Sequence, residues 1–299
     1  MENDDKTMIH LLYSGNGTTP VDSGLPNVGR IFAIPTNGDL NWYRYLGHGE
    51  PDRSGALGWQ PNSGNPIGNG WQNFLHVLGA GDGVVLAVQP DGDLLWYRYL
   101  GDGHADRSGA TGWHPNSGNP IGNGWQNFAH VFVLPQQGRF SKGITVFGVE
   151  PDGDLRWYLY RGNGENDRSG ATGWDPNSSN IVGNGWAAFQ RIVGAGGEIF
   201  AVQPDGALLW YSYEGTGVAD RSGATGWHTN SGHQIGRGWQ NFRHLTGGTD
   251  DSGGFGTVLY AVAQNGDLLW YRYDGHGEQD PTGGTGWDAN SANPIGNGW

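Results

Sequence analysis

Five segments of this chain repeat one set of aromatic, amide and hydroxyl residues. Each has a Trp in a Gly-rich stretch (Trp59, Trp113, Trp174, Trp227, Trp287) and, three residues on, an Asn-Ser pair beginning at Asn62, Asn116, Asn177, Asn230 or Asn290. An Ile/Val-Gly-Asn-Gly-Trp string follows, whose Asn is Asn69, Asn123, Asn184 or Asn297; the fourth copy has Arg237 there. A sugar offers its C–H face to an aromatic ring, and its hydroxyls or an acetamido group to fixed amide, carboxylate or backbone partners. Trp, Asn, Ser and the backbone N–H groups that Gly leaves uncovered supply both. The competing reading, in which Trp fills space between layers and Asn caps turns, stays open residue by residue.

The elements that would position this set follow from the period. All 15 Trp fall into five triplets, Trp42/Trp59/Trp71, Trp96/Trp113/Trp125, Trp157/Trp174/Trp186, Trp210/Trp227/Trp239 and Trp270/Trp287/Trp299, each spaced 17 then 12 residues. The triplets start 54, 61, 53 and 60 residues apart, a period of about 57 with insertions at 136–142 and 248–256. A period of this size marks stacked supersecondary units, none of which can bury its apolar faces alone. Each unit opens with two β-rich runs joined by Asn-Gly or Asp-Gly (Asn37-Gly38, Asp91-Gly92, Asp152-Gly153, Asp205-Gly206, Asn265-Gly266), which predicts a hairpin with a type I′ turn. A Gly-rich connection and a short closing strand such as Phe128–Phe132 complete it. Three to four strands per unit describe a propeller blade. The first Trp of each triplet belongs to the core, and the third packs beside the closing strand.

The fifth unit lacks its closing strand, while Met8–Leu12 near the N-terminus matches the missing piece, with His10 at the place of His76, His130 and His244. The expectation is an all-β, five-bladed propeller in one domain over 1–299, closed by an N-terminal strand, 6–13, that pairs into the last blade and covers its edge.

Composition excludes much else. With 57 Gly in 299 residues, hardly any ten-residue window could form a stable helix, and 12% aromatic content argues against a disordered Gly-rich linker. The net charge of −13 opposes a phosphate-backbone partner, so no nucleic acid is expected. No apolar run reaches the ~20 residues of a membrane span, and the acidic start is unlike a secretion signal. The chain reads as soluble, cytoplasmic or released without a signal peptide. A monomer suffices, and nothing sets the oligomeric state. Zero Cys removes disulfides, thiolate metal sites and a Cys nucleophile. Catalysis needs one constellation of differing residues, whereas every notable group here recurs four or five times, so no enzyme, cofactor or metal is expected. Gly47-His48-Gly49 and Asp91-Gly92-Asp93 read as turns rather than nucleotide or calcium loops. The strand set His10, His76, His130 and His244, with Arg191 in the third copy, reads as packing or interblade bonding, since a metal ring would not tolerate Arg. The Asp-Arg pairs (Asp52-Arg53, Asp106-Arg107, Asp167-Arg168, Asp220-Arg221), which become Asp280-Pro281, read as local loop fasteners.

The string Ile121-Gly122-Asn123-Gly124-Trp125 with Phe128, twelve residues beyond Trp113, together with Leu259-Tyr260-Ala261-Val262, resembles the tachylectin family of five-bladed propeller lectins. The resemblance covers all five repeats. This chain has longer units, a Trp-Tyr-Arg-Tyr second strand and an Asp-Arg-Ser-Gly-Ala-Thr-Gly lead into the loop Trp. The resemblance implies binding of N-acetylated hexosamines, GlcNAc or GalNAc, in up to five equivalent pockets between blades, without catalysis. The runner-up is a protein-interaction propeller that binds a peptide or partner protein on one face; near-identical loops favour the small repeated ligand.

Overall fold

The computed structural model describes residues 12–14, 30–81, 83–134, 143–249 and 257–299. They form five antiparallel four-stranded sheets, each ordered as the chain runs. Blade 1 contains β1 (Leu12–Ser14), β2 (Arg30–Ala33), β3 (Asn41–Arg44) and β4 (Asn65–Pro66). Blade 2 contains β5 (His76–Gly81), β6 (Val84–Val88), β7 (Leu94–Arg98) and β8 (Asn119–Gly122), and blade 3 contains β9 (His130–Leu134), β10 (Ile144–Val149), β11 (Leu155–Tyr160) and β12 (Asn180–Gly183). Blade 4 runs through β13 (Arg191–Ala195), β14 (Glu198–Val202), β15 (Leu208–Tyr211) and β16 (His233–Gly236). Blade 5 runs through β17 (His244–Thr249), β18 (Thr257–Val262), β19 (Asp267–Tyr273) and β20 (Asn293–Asn297). The helical content of the described residues is single 3₁₀ turns at the third Trp of a triplet, as at Trp125–Asn127.

The blade boundary lies one strand earlier than the sequence suggests. The closing strand of each repeat is the innermost strand of the next blade, so Leu12–Ser14 pairs with β2 in blade 1, opposite Phe32, Ile31 and Arg30. Blade 5 takes all four strands from residues 244–297. The N-terminal strand therefore does not complete the last blade, and residues 6–11, with His10, lie outside the described residues. Loop bonds from blade 1, rather than a shared strand, tie blade 5 to blade 1: Asp52 N–H donates to Pro294 O and Arg53 Nε to Asp267.

The hairpin turns also differ from expectation. Gly92 N–H donates to Gln89 O, and Gln89 N–H to Asp93 O. Gly92 has φ +94°, but Asp91 is not among the positive-φ residues. This is a type I turn followed by a left-handed Gly, the three-residue hairpin with a G1 bulge. Pro90, with φ fixed near −65°, forbids the type I′ alternative. The Asp91 carboxylate then accepts from Asp93 N–H, the local bond typical of Asx turns.

The first Trp of each triplet is buried as expected, forming the core with Val and Ile from the central strands. The Gly-x-Gly triplets explain how the blades approach one another. Gly103 sits at φ +81°, where a Cβ would lie 2.1 Å from the Trp42 ring of the preceding blade; Gly49 meets Trp270 in the same way across blades 1 and 5.

Candidate functional site

The Gly-rich connection between the third and fourth strands of each blade leans on the blade before it. In blade 2, Asp106 N–H donates to Pro66 O of blade 1 at 2.8 Å, and the same bond recurs at Asp52, Asp167, Asp220 and Asp280. The Asp106 carboxylate accepts from Ser108 N–H and Oγ and from Thr111 N–H and Oγ1. These hydroxyl and backbone donors hold Asp106, Asp167 and Asp220 at a pKa of about 2. The Asp of each expected Asp-Arg fastener is thus local, but its Arg is not. Arg107 Nε reaches Asp39 of blade 1 at 2.6 Å, and Arg53, Arg168 and Arg221 reach Asp267, Asp93 and Asp154 likewise.

Beyond this loop each first-loop Trp crosses to the neighbouring blade. Trp59, Trp113, Trp174, Trp227 and Trp287 are half-buried, and their Nε1–H groups donate to the backbone carbonyls of Ile295, Ile67, Ile121, Val182 and Ile235 at 2.8–3.1 Å. The indole is fixed while part of its surface stays open. It lies against the third Trp of the preceding triplet: Trp113 with Trp71, Trp174 with Trp125, Trp227 with Trp186, Trp287 with Trp239, and Trp59 with Trp299. Ring centroids are 5.4–5.8 Å apart and the planes diverge by 23–32°. The preceding Gly, for example Gly124 at φ +94° with nothing within 4 Å of a hypothetical Cβ, is required by the backbone turn rather than by crowding.

A Tyr completes each group: Tyr43, Tyr97, Tyr158, Tyr211 or Tyr271, with its ring 4.6–4.8 Å from the more buried Trp. Burial pushes Tyr97, Tyr158, Tyr211 and Tyr271 up to about 12, so each phenol keeps its proton at neutral pH and remains a donor. These Tyr are not among the expected site residues, although the Trp-Tyr pair in the third strand of each blade carries the signal. Alternation along a strand sends the Trp of Trp96-Tyr97 to one face and the Tyr to the other.

Two of these clefts are open cavities. One, of about 440 Å³ between blades 5 and 1, is lined by Trp59, Trp299, Tyr43, Gly55, Ser63 and Asn297. The other, of about 430 Å³ between blades 4 and 5, is lined by Trp287, Trp239, Tyr271, Arg237, Gly283 and Ser291. Both volumes fall in the ~300–1,000 Å³ range of small-ligand sites.

The predicted Asn residues divide. Asn62, Asn116, Asn177, Asn230 and Asn290 each donate an amide N–H to a backbone carbonyl of the following blade: Asp102, Asn163, Thr216, His276 and His48. They are placed as interblade ties, outside the walls of the two cavities. Asn123 and Asn184 donate to Asp93 and Asp154, the carboxylates that also hold Arg168 and Arg221. Asn297 lies on a cavity wall, and Asn69 is exposed at the same place in the first repeat.

Glu150, Asp152 and Asp154 bring carboxylate oxygens within 4.8 Å of one another, but Glu150 is held by Arg156 and Asp154 by Arg221. Two of the three carboxylates are thus neutralised by guanidinium groups. Among the described residues, no helix is long and apolar enough to cross a membrane.

A family model described as Tachylectin matches residues 33–299. No curated protein matches the chain. Among solved structures, AofleA from Arthrobotrys oligospora is similar at 13% identity and TM-score 0.43, covering 94% of this chain and 70% of that one. SapL1 lectin, in complex with alpha methyl fucoside, has 15% identity and TM-score 0.39, covering 94% and 79%. A six-bladed Aleuria aurantia lectin with a fucose recognition mode has 13% identity and TM-score 0.43, covering 97% of each chain. Scores this low add nothing to what the five sheets show.

Proposed function

The chain belongs to the tachylectin family, and from that premise we propose that it is a multivalent lectin for glycans carrying N-acetylated hexosamines, GlcNAc or GalNAc. The observation that carries the reading is the fivefold recurrence of one cleft between blades, with two indoles, a Tyr phenol and a Gly-turned backbone. An indole face suits the C–H side of a pyranose or the acetamido methyl, and the phenol, Ser hydroxyl and uncovered amides suit its polar edge. Trp59, Trp113, Trp174, Trp227 and Trp287 are the contact residues, with Asn69, Asn123, Asn184 and Asn297 on the rim. Asn62, Asn116, Asn177, Asn230 and Asn290 act through the loops they fasten. The pocket of Arg237 is the weakest.

One small neutral sugar typically binds with a Kd of about 1 mM, but linked pockets facing one glycan-coated surface raise avidity by roughly 10²–10⁴. Repetition of a weak site is therefore the mechanism, and no bond need be made or broken. The test is a glycan array followed by calorimetry with free GlcNAc, GalNAc and fucose. The expected result is N-acetylhexosamine binding at more than one site per chain, lost pocket by pocket in Trp→Ala variants. Binding of fucosides alone, a single site per chain, or binding of no glycan would overturn the proposal.

A further inference from the structure

A third cavity lies away from the interblade clefts, among the innermost strands at the centre of the ring. It has a volume of about 320 Å³ and is lined by the starts of β5, β9, β13 and β17. These strands begin at His76, His130, Arg191 and His244, and Arg243 precedes the last of them. All five side chains belong to the cavity wall, and among the described residues that wall contains no Asp or Glu. In a chain of net charge −13 this is a local reversal of sign. A cavity with low-dielectric walls and charges of one sign focuses the field on its interior.

The second observation is a donor without an acceptor. Arg191 Nη2–H donates to Arg243 O at 3.3 Å, while Arg191 Nη1 is buried and has no hydrogen-bond partner among the described residues. A buried guanidinium nitrogen left unpaired is costly, and groups of this kind in a native fold are ordinarily satisfied by a water or an ion. Arg243 forms no ion pair among the described residues, and burial, with the nearby His130 second, disfavours a charge on His76. An anion in the cavity would satisfy the Arg191 guanidinium. Three other repeats show that packing does not require Arg here, because His76, His130 and His244 occupy the Arg191 position in their own strands.

We propose that this end of the central channel binds one small oxyanion of the phosphate or sulfate type, held by Arg191 and Arg243 and flanked by His76, His130 and His244. A tetrahedral oxyanion matches the fork of a guanidinium and accepts from imidazole N–H groups in the same shell. The site is independent of glycan binding in the interblade clefts.

The experiment is calorimetry and thermal unfolding of the full chain in sulfate and in phosphate, with chloride holding the ionic strength constant. The expected result is a saturating response at one anion per chain, with a melting-temperature rise of about 5 °C at a hundred times the Kd. Arg191→Gln removes the response, and Arg243→Gln weakens the affinity at least tenfold and remains available if Arg191→Gln does not fold. Arg237→Gln, at a blade interface, leaves the response intact. Equal stabilisation by chloride, a stoichiometry near five, or an unchanged response in folded Arg191→Gln or Arg243→Gln would overturn the proposal.

Discussion

Among the described residues, an Arg–Asp ion pair joins four of the five blade interfaces but not the one between blades 4 and 5. In the four, an Arg from the Gly-rich loop meets an Asp at the start of the neighbouring blade's third strand, at 2.6–2.8 Å. Those Asp side chains are only 6–12% exposed, so removing the Arg alone would leave a nearly buried charge unpaired. At the fifth interface both members are gone together: Ala207 stands in place of the Asp and Pro281 in place of the Arg. The Asn that would donate to the missing carboxylate is also replaced, by Arg237. Three departures scattered over 75 residues of sequence therefore resolve into one contact. Yet Asp280 N–H still donates to Gln234 O, and Trp287 Nε1–H to Ile235 O. The backbone tie and the indole build the cleft, and the ion pair reinforces it.

The most severe way to break the comparison is to remove the indole. Trp287→Ala and Trp227→Ala each delete a large ring and its cross-blade hydrogen bond, at an expected cost of roughly 3 kcal/mol. Trp227→Ala leaves the Arg221–Asp154 pair spanning its interface, while Trp287→Ala leaves no such pair, so the second melts lower in denaturant or heat. Equal losses would mean that ion pair and indole act independently.

The same interface carries a carboxyl of a different kind, one shifted toward its neutral form. Glu198 on β14 accepts from Thr257 Oγ1 of blade 5 at 2.8 Å, and burial pushes its pKa up to about 7. The folded state binds this proton more tightly than the unfolded chain does. Its contribution to stability is therefore complete below about pH 4.5 and is lost as pH rises toward 7; the gap of 4.5 to about 7 corresponds to roughly 3 kcal/mol. The loop carboxylates run the other way. Asp106, Asp167 and Asp220, held at about 2, stabilise the fold above the ordinary Asp range, and that stability disappears as pH falls from about 4 to 2. Glu198→Gln is expected to leave stability near pH 4 unchanged and to raise it at pH 8 by up to about 3 kcal/mol, measured by denaturant titration at both values. An equal effect at both pH values would assign Glu198 a packing role instead.

A smaller difference lies in the backbone. Before the fourth strand, blades 1, 2 and 4 place Gly64, Gly118 and Gly232 at φ near +90°, whereas blades 3 and 5 place Ser179 at +74° and Ala292 at +73°. A side chain in this region costs roughly 1–2 kcal/mol. Ala292→Gly and Ser179→Gly should each stabilise by about 1 kcal/mol in equilibrium unfolding, reduced by the entropy that Gly adds to the unfolded chain.

The number of blades and the place of the core Trp were legible because fixed Trp spacing and β-rich runs report local structure directly. The phase was not. Whether a strand closes one blade or opens the next depends on which edge it pairs with, and a repeat has no marked beginning. Trp113 was legible as a cleft residue from its Gly-rich setting, but the fate of Asn116 was not: its partner, Asn163 O, lies 47 residues away in the next blade. Arg107 read as local because Asp106 is, although adjacent side chains in an extended loop point apart and only the ring brings Asp39 within reach.

The mildest test rebuilds the ordinary interface where it is missing. In the triple variant Ala207→Asp, Pro281→Arg, Arg237→Asn, the new carboxylate has the Arg and Asn partners seen at Asp93 and Asp154. The four existing Arg partners are 57–60% exposed, so solvent screens the attraction, and the melting temperature should rise by no more than about 2 °C. Ala207→Asp alone places a carboxylate where the repeat aligns it with Pro281 and Arg237, and separates a need for charge from a need for geometry. If Arg237 pairs with it as well as Arg221 does with Asp154, the single and triple variants melt alike. If the fork must arrive from the loop, as the Nε contacts at the other four interfaces require, only the triple variant gains. Calorimetry with GlcNAc on the same proteins reads the second consequence: with Arg237 returned to Asn, the cleft between blades 4 and 5 should bind like its four counterparts, and an unchanged isotherm would place its difference elsewhere.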